Sequence, residues 1–202
     1  ISSRGESLKV ETDESGRVLC VSVNQDGEEV KLVRYRYDDR GDMVETIDAL
    51  DVSKHFVYSG GHLLVLLTNQ GGMSFHWEYE GKGENARCVH TWGDGGVMEY
   101  FIRYGKGYTH IRNGESAETE YYYGEDKLIY KIVDANGGIT RHQYNSFQEL
   151  EVTVNPEGYT RKTAYNEFGR PVRITDENEE DTFLDYDKNR NLVSLRTPGG
   201  KR

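Results

Sequence analysis

The chain has 202 residues, 25 of them basic and 35 acidic, and a net charge of −10 at pH 7; this weighs against a nucleic-acid partner, because phosphate contacts need a basic surface. Only 35% of the residues are hydrophobic and the mean hydropathy is −0.80, too polar for a globule built around a dry centre. No apolar run approaches the roughly 18 residues of a membrane-spanning helix, and no signal peptide is visible at the start.

The opening stretch, Ser2, Ser3, Arg4, Gly5 and Glu6, is polar, and the first residue is Ile, not Met, as expected of a piece of a longer protein. Val18, Leu19, Val21 and Val23, then Val30, Leu32 and Val33, predict two strands around a turn at Asn24-Gln25-Asp26-Gly27. Tyr37 follows, with a turn at Asp39-Arg40-Gly41. Gly60-Gly61 precedes the one continuous apolar run, Leu63, Leu64, Val65, Leu66 and Leu67. Such a run predicts a strand covered on both faces, by a neighbouring layer or a partner. Gly105-Lys106-Gly107 is a hairpin turn, too short to cradle a phosphate. Ala135-Asn136-Gly137-Gly138, Asn155-Pro156-Glu157-Gly158 and Glu167-Phe168-Gly169 are further turns, since glycine and asparagine accept the positive φ that tight turns need. Between turns, Leu150, Val152 and Val154 alternate with Glu149, Glu151 and Thr153, and Val172 and Ile174 with Arg173 and Thr175. That is the two-residue period of an extended chain. No window carries apolar residues at helical spacing. Periodic aromatics and alternating strands together argue against the disorder that a polar composition alone would suggest.

A longer period overlies these elements. Tyr37, Tyr58 and Tyr79 are 21 residues apart; Tyr104 follows after 25 and Tyr123 after 19; Tyr144, Tyr165 and Tyr186 continue at steps of 21. A fixed period of about 20 residues marks a repeat architecture. Each repeat reads as two short strands and two turns, giving an all-β array of about eight antiparallel hairpins whose accumulated twist makes one long coiled sheet. The tyrosines have two readings. They form a structural repeat ladder, each ring packed between neighbouring strands with its hydroxyl at the wet side, or they are exposed platforms that stack sugar rings in a carbohydrate- or cell-wall-binding module. The structural reading is favoured, because wall-binding repeats lean on tryptophan and only Trp77 and Trp92 occur here, with Tyr121-Tyr122-Tyr123 the nearest approach to that style.

These motifs resemble the YD repeat of Rhs proteins. Tyr37-Asp38 with Arg40-Gly41, Tyr165-Asn166 with Gly169-Arg170, and Tyr186-Asp187 with Asn189 and Asn191 carry the resemblance best. Thr91-Trp92-Gly93-Asp94-Gly95-Gly96 is similar to a segment found early in the shells of bacterial Rhs toxins. The likeness covers residues 35–197 and extends through Gly16-Arg17 and Asp26-Gly27 to the start. It divides the array into a divergent first repeat at 1–36, repeats with the Trp92 segment at 37–103, regular repeats at 104–197 and a tail at 198–202. The middle departs from the pattern: Tyr79 leads into Glu80-Gly81, Tyr104 into Gly105 and Tyr123 into Gly124. The resemblance implies a segment of a hollow shell that encloses and helps deliver a toxic C-terminal polypeptide. It implies no chemistry of its own and no cofactor. The implied partners are the rest of the shell, the enclosed toxin segment and secretion machinery, and the implied location is outside a bacterial cell. The family's self-severing core motif of aspartates and glycines has no match here.

The residues offer no competing chemistry. Cys20 and Cys88 lie in different repeats and read as isolated buried thiols without a disulfide framework. His55, His62, His76, His90, His110 and His142 are scattered, with no ligand spacing for a metal and no nucleophile beside them. The acidic run Asp176-Glu177-Asn178-Glu179-Glu180-Asp181 lacks the fixed glycine of a calcium loop and reads as a solvated turn. Bare strand edges near Leu8–Val10 and Leu192–Leu195 are expected to promote self-association.

Overall fold

Alternation every two residues, interrupted by a turn about every ten, produces short strands. The computed structural model describes residues 7–25 and 27–200; the polar start, Asp26 of the first turn and the last two residues of the tail lie outside the described residues. Among the described residues there are eighteen strands. The first nine are β1 (Leu8–Thr12), β2 (Val18–Gln25), β3 (Glu28–Tyr37), β4 (Met43–Asp48), β5 (Ser53–Tyr58), β6 (Leu64–Thr68), β7 (Ser74–Glu80), β8 (Arg87–Gly93) and β9 (Val97–Gly105). The rest are β10 (Tyr108–Asn113), β11 (Glu118–Tyr123), β12 (Ile129–Val133), β13 (Ile139–Tyr144), β14 (Leu150–Val154), β15 (Thr160–Tyr165), β16 (Pro171–Thr175), β17 (Asp181–Tyr186) and β18 (Leu192–Arg196). Each strand pairs antiparallel with the next, in one open sheet. The chain falls into two compact halves, Ile1–Phe101 and Ile102–Arg202, with β9 crossing the boundary.

The turns share one construction. In the turn between β15 and β16 the Asn166 N–H donates to the Arg170 carbonyl at 2.9 Å, and the Gly169 N–H returns to the Asn166 carbonyl at 3.1 Å. The Asn166 side-chain oxygen accepts the N–H groups of Phe168 and Arg170 at 2.9 and 3.1 Å. Asp38, Asn145 and Asp187 do the same one turn away in their own repeats, and so do Asp48, Asp134 and Asp176 in the turns at the other ends of the strands. A short side-chain acceptor thus replaces the backbone partners that the turn removes. Three residues beyond it the chain enters the left-handed region, where Gly169 has φ 73°. The same conformation is imposed on Gln148 (φ 64°), Glu179 (φ 64°) and Arg190 (φ 67°), where sequence alone does not call for it.

Side-chain burial fits the polar composition. Among the described residues the buried apolar side chains are Cys20 and Ile47; most other apolar residues of the strands are half-covered. The strand expected to be covered on both faces is not found. β6 is half-buried at every position, because Leu66 lies across from Val57 and His76, and Leu67 across from Phe56 and Phe75. The apolar run is matched by apolar neighbours within its own sheet. Two short 3-10 turns, Gly83–Asn85 and Asp94–Gly96, flank β8; the second uses glycines at φ 71° and 79°.

Candidate functional site: the tyrosine ladder

Each ladder tyrosine is the last or next-to-last residue of its strand, and at seven of them the register to the following strand slips by one residue. Gln143 faces Val152, but Tyr144 faces Leu150; the same step occurs at Tyr37, Tyr58, Tyr79, Tyr123, Tyr165 and Tyr186. Such a bulge bends the strand and redirects the side chain beside it. The redirected ring reaches back to the preceding repeat. Tyr79 donates its hydroxyl to the Leu64 carbonyl at 2.9 Å, Tyr144 to Ile129 at 2.9 Å, Tyr165 to Leu150 at 2.8 Å and Tyr186 to Pro171 at 3.0 Å. Tyr123 bonds Tyr108 at 3.3 Å, so in all five the acceptor lies 15 positions upstream. Tyr37 follows a looser rule and bonds Val18 at 2.9 Å. The hydroxyl thus supplies a donor to the carbonyl that opens the neighbouring strand.

The arginine of the Gly-Arg pair has a related place. Arg17 lies over the ring of Tyr37 at 5.0 Å and Arg170 over that of Tyr186 at 5.5 Å, within cation–π range. In these two places a repeat contributes both a carbonyl and a cation to the next tyrosine. Burial raises the hydroxyl pKa of Tyr58 and Tyr79 above the ordinary tyrosine value.

The Trp92 segment builds a second aromatic feature. His76 and Trp92 stack at 4.9 Å, His90 and Trp92 at 4.2 Å, and His90 and Phe101 at 4.2 Å. The rings form a column across β7, β8 and β9, stacking on one another. His90 is held edgewise by Glu99 at 3.0 Å and Glu78 at 3.3 Å, and Asp94, its pKa lowered chiefly by the Ser74 N–H, lies 3.4 Å from His76. Sequence reasoning singled out Trp92 and the two histidines separately; only the β7–β8 register, which sets His76 opposite Trp92 and Glu78 opposite His90, brings them together.

The remaining candidates stay apart. Cys20 is buried and Cys88 half-buried, neither in a disulfide, with burial pushing the Cys88 pKa up. His62 pairs with Asp42 at 2.7 Å, His110 with Glu118 at 3.3 Å, and His142 with the Thr153 hydroxyl at 3.1 Å. Among the described residues no group of three or more histidine, cysteine, aspartate or glutamate side chains is placed to hold a metal ion, and no helix is long and apolar enough to cross a membrane.

The chain is 24% identical over 161 residues to the probable deoxyribonuclease RhsB of Dickeya dadantii (strain 3937), an alignment covering 79% of this chain and 11% of that protein. The chain is thus similar, over most of its length, to a protein of the Rhs type. The array shares its fold with a chain in the crystal structure of TcdB2-TccC3-TEV, at a TM-score of 0.53 and 14% identity, over 94% of this chain and 12% of the other. It spans about a tenth of the length of either relative. No family model matches the sequence.

Proposed function

We propose that this YD-repeat array is a wall segment of an Rhs-type toxin shell, which encloses a toxic C-terminal polypeptide and helps deliver it. The observation that carries this reading is the upstream tyrosine bond. It ties Tyr79, Tyr123, Tyr144, Tyr165 and Tyr186 to the preceding strand by a fixed rule and so extends a sheet without a central core, as a container wall requires. The relationship to an Rhs protein over most of the chain supports the toxin context. The segment's partners are then the adjoining parts of the shell and the enclosed polypeptide, and secretion machinery carries the assembly out of a bacterial cell. The segment does no chemistry itself, and the nuclease activity in the name of the RhsB relative is not carried over to it.

The carbohydrate-binding reading is less well supported. A sugar needs a free aromatic face, whereas the Trp92 ring is stacked with both His76 and His90, and the ladder hydroxyls are committed to backbone carbonyls.

The test uses the full-length parent protein that contains this segment. Its C-terminal polypeptide should resist trypsin in the intact assembly and become cleavable when Tyr144 and Tyr165 are both replaced by alanine. A C-terminal region digested equally fast in both forms would overturn the shell reading. Quenching of Trp92 fluorescence by cell-wall oligosaccharides would favour the alternative.

A further inference from the structure

The second half carries a charge pattern that neither the ladder nor the shell reading uses. Lys131 on β12 lies directly across from Arg141 on β13, and Arg141 lies across from Val154 on β14. Val152, two residues from Val154 and so on the same side of the sheet, faces Lys162 on β15. Ala164, two residues further, faces Arg173 on β16. These pairings set four basic side chains on one side of the sheet, in a diagonal over five neighbouring strands, or about 19 Å at the usual strand spacing. None of the other residues on that side of β12–β16 is acidic.

Three features mark the stripe as a binding surface. Arg141, Lys162 and Arg173 are exposed, whereas Thr140, His142, Thr163 and Ile174, which point to the tyrosine side, are half-buried. Arg141 and Lys162 form no ion pair among the described residues; Arg173 pairs with Asp181 at 2.7 Å and Lys131 rests 3.5 Å over the Tyr122 ring. Like charges directly opposite in an antiparallel pair destabilise it, so the Lys131–Arg141 juxtaposition is a cost that the fold alone does not explain. Val152, Lys162, Ala164 and Arg173 line a shallow open depression together with Glu151 and Glu179, which make no ion pair with Lys162.

We infer that this stripe docks an acidic polypeptide segment, laid across β12–β16 with its carboxylates on Arg141 and Lys162. The stripe faces away from the ladder side, and the inference does not rest on the shell reading. A polypeptide is favoured over a nucleic acid because the chain's net charge of −10 opposes both, and a peptide with a carboxylate at every second residue carries about half the charge of an oligonucleotide of the same length.

The test is fluorescence anisotropy with the 202-residue chain and a labelled twelve-residue peptide of alternating glutamate and serine. Saturable binding should weaken at least tenfold in the R141E/K162E double variant and fall with added salt, while K188E, a basic turn residue off the stripe, leaves it unchanged. R141E should also raise the melting temperature, since it turns the Lys131 contact from repulsive to attractive; this keeps lost binding separate from lost folding. Absence of saturable binding, equal weakening by K188E, or tighter binding of a twelve-nucleotide oligothymidylate would overturn the proposal.

Discussion

The hydroxyl of Tyr165 donates to the carbonyl of Leu150 at 2.8 Å, and Leu150 is itself the cross-strand partner of Tyr144, the tyrosine one repeat earlier. Each ladder ring therefore rests on the strand that its predecessor helped to place. Tyr165→Phe removes only the hydroxyl and should cost about 0.5–1 kcal/mol, because the exposed carbonyl regains water. Tyr165→Ala also removes a half-buried ring and should cost about 2 kcal/mol. Tyr159, off the ladder and 58% exposed, should cost less than about 0.5 kcal/mol as alanine. Urea melts of the three variants check the order; equal effects of Y165A and Y159A would remove the ladder's structural role.

The turn side chains are expected to matter more than their exposure suggests. Asn166→Ala deprives Phe168 and Arg170 of their acceptor and should destabilise by about 1–2 kcal/mol. Asn166→Asp keeps the acceptor oxygen and should be nearly neutral, as Asp38 and Asp187 already occupy the equivalent place. Thermal melts of the pair separate the hydrogen bond from the loss of a polar side chain.

Gln148 sits at φ 64° with an ordinary side chain. Gln148→Gly should stabilise the chain by about 0.5–1 kcal/mol, because glycine adopts this conformation without the steric penalty. Gly137→Ala, at φ 80°, should do the opposite by a similar amount. A Gln148→Gly variant that melts lower would mean that its side chain makes contacts outweighing the strain.

Acid should unfold the array through its turns. Backbone N–H groups of Val52 and Leu50 hold the Asp48 carboxyl below its ordinary value of 3.8, and those of Asn191 and Asn189, with the Asn191 side chain, do the same for Asp187. A folded-state pKa lowered below the unfolded one gives stability that is present above the ordinary value and is lost as pH falls through the folded value. Burial also lowers the His142 pKa from 6.5, so protonation of this histidine favours the unfolded chain and a smaller loss starts below that pH. Urea midpoints should thus decline gently below about pH 6.5 and steeply below about pH 4. Asp48→Asn and Asp187→Asn should flatten the steep part; an unchanged profile would show that the turn carboxylates do not set acid stability.

Much of this was legible before any coordinates. The 21-residue step located the repeats and the tyrosines that recur in them, among them Tyr144, Tyr165 and Tyr186; that each of these stands beside a bulge follows only from the strand register. The glycine turns at Gly41, Gly137, Gly158 and Gly169 were readable from residue type. Gln148, Glu179 and Arg190 were not, since there the preceding Asn or Asp cap forces the conformation and the strained residue bears no signature. The Leu63–Leu67 run misled, because apolar content indicates apolar neighbours without saying whether they come from another layer or from Phe56, Val57 and Phe75 in the same sheet. The column of His76, Trp92, His90 and Phe101 and the basic diagonal depend on register across strands, which no single-chain period encodes.

The upstream direction of the tyrosine bonds gives the array a polarity in time. Every acceptor of the regular ladder lies 15 positions before its donor, and the strand that holds it is complete before the tyrosine arrives. A chain emerging N-terminus first, from a ribosome or through a narrow channel, can therefore fasten each repeat as it appears without waiting for distant sequence. Loops of this size close at small entropic cost and keep contacts local, which favours rapid folding of a sheet that would otherwise be slow and prone to mispairing.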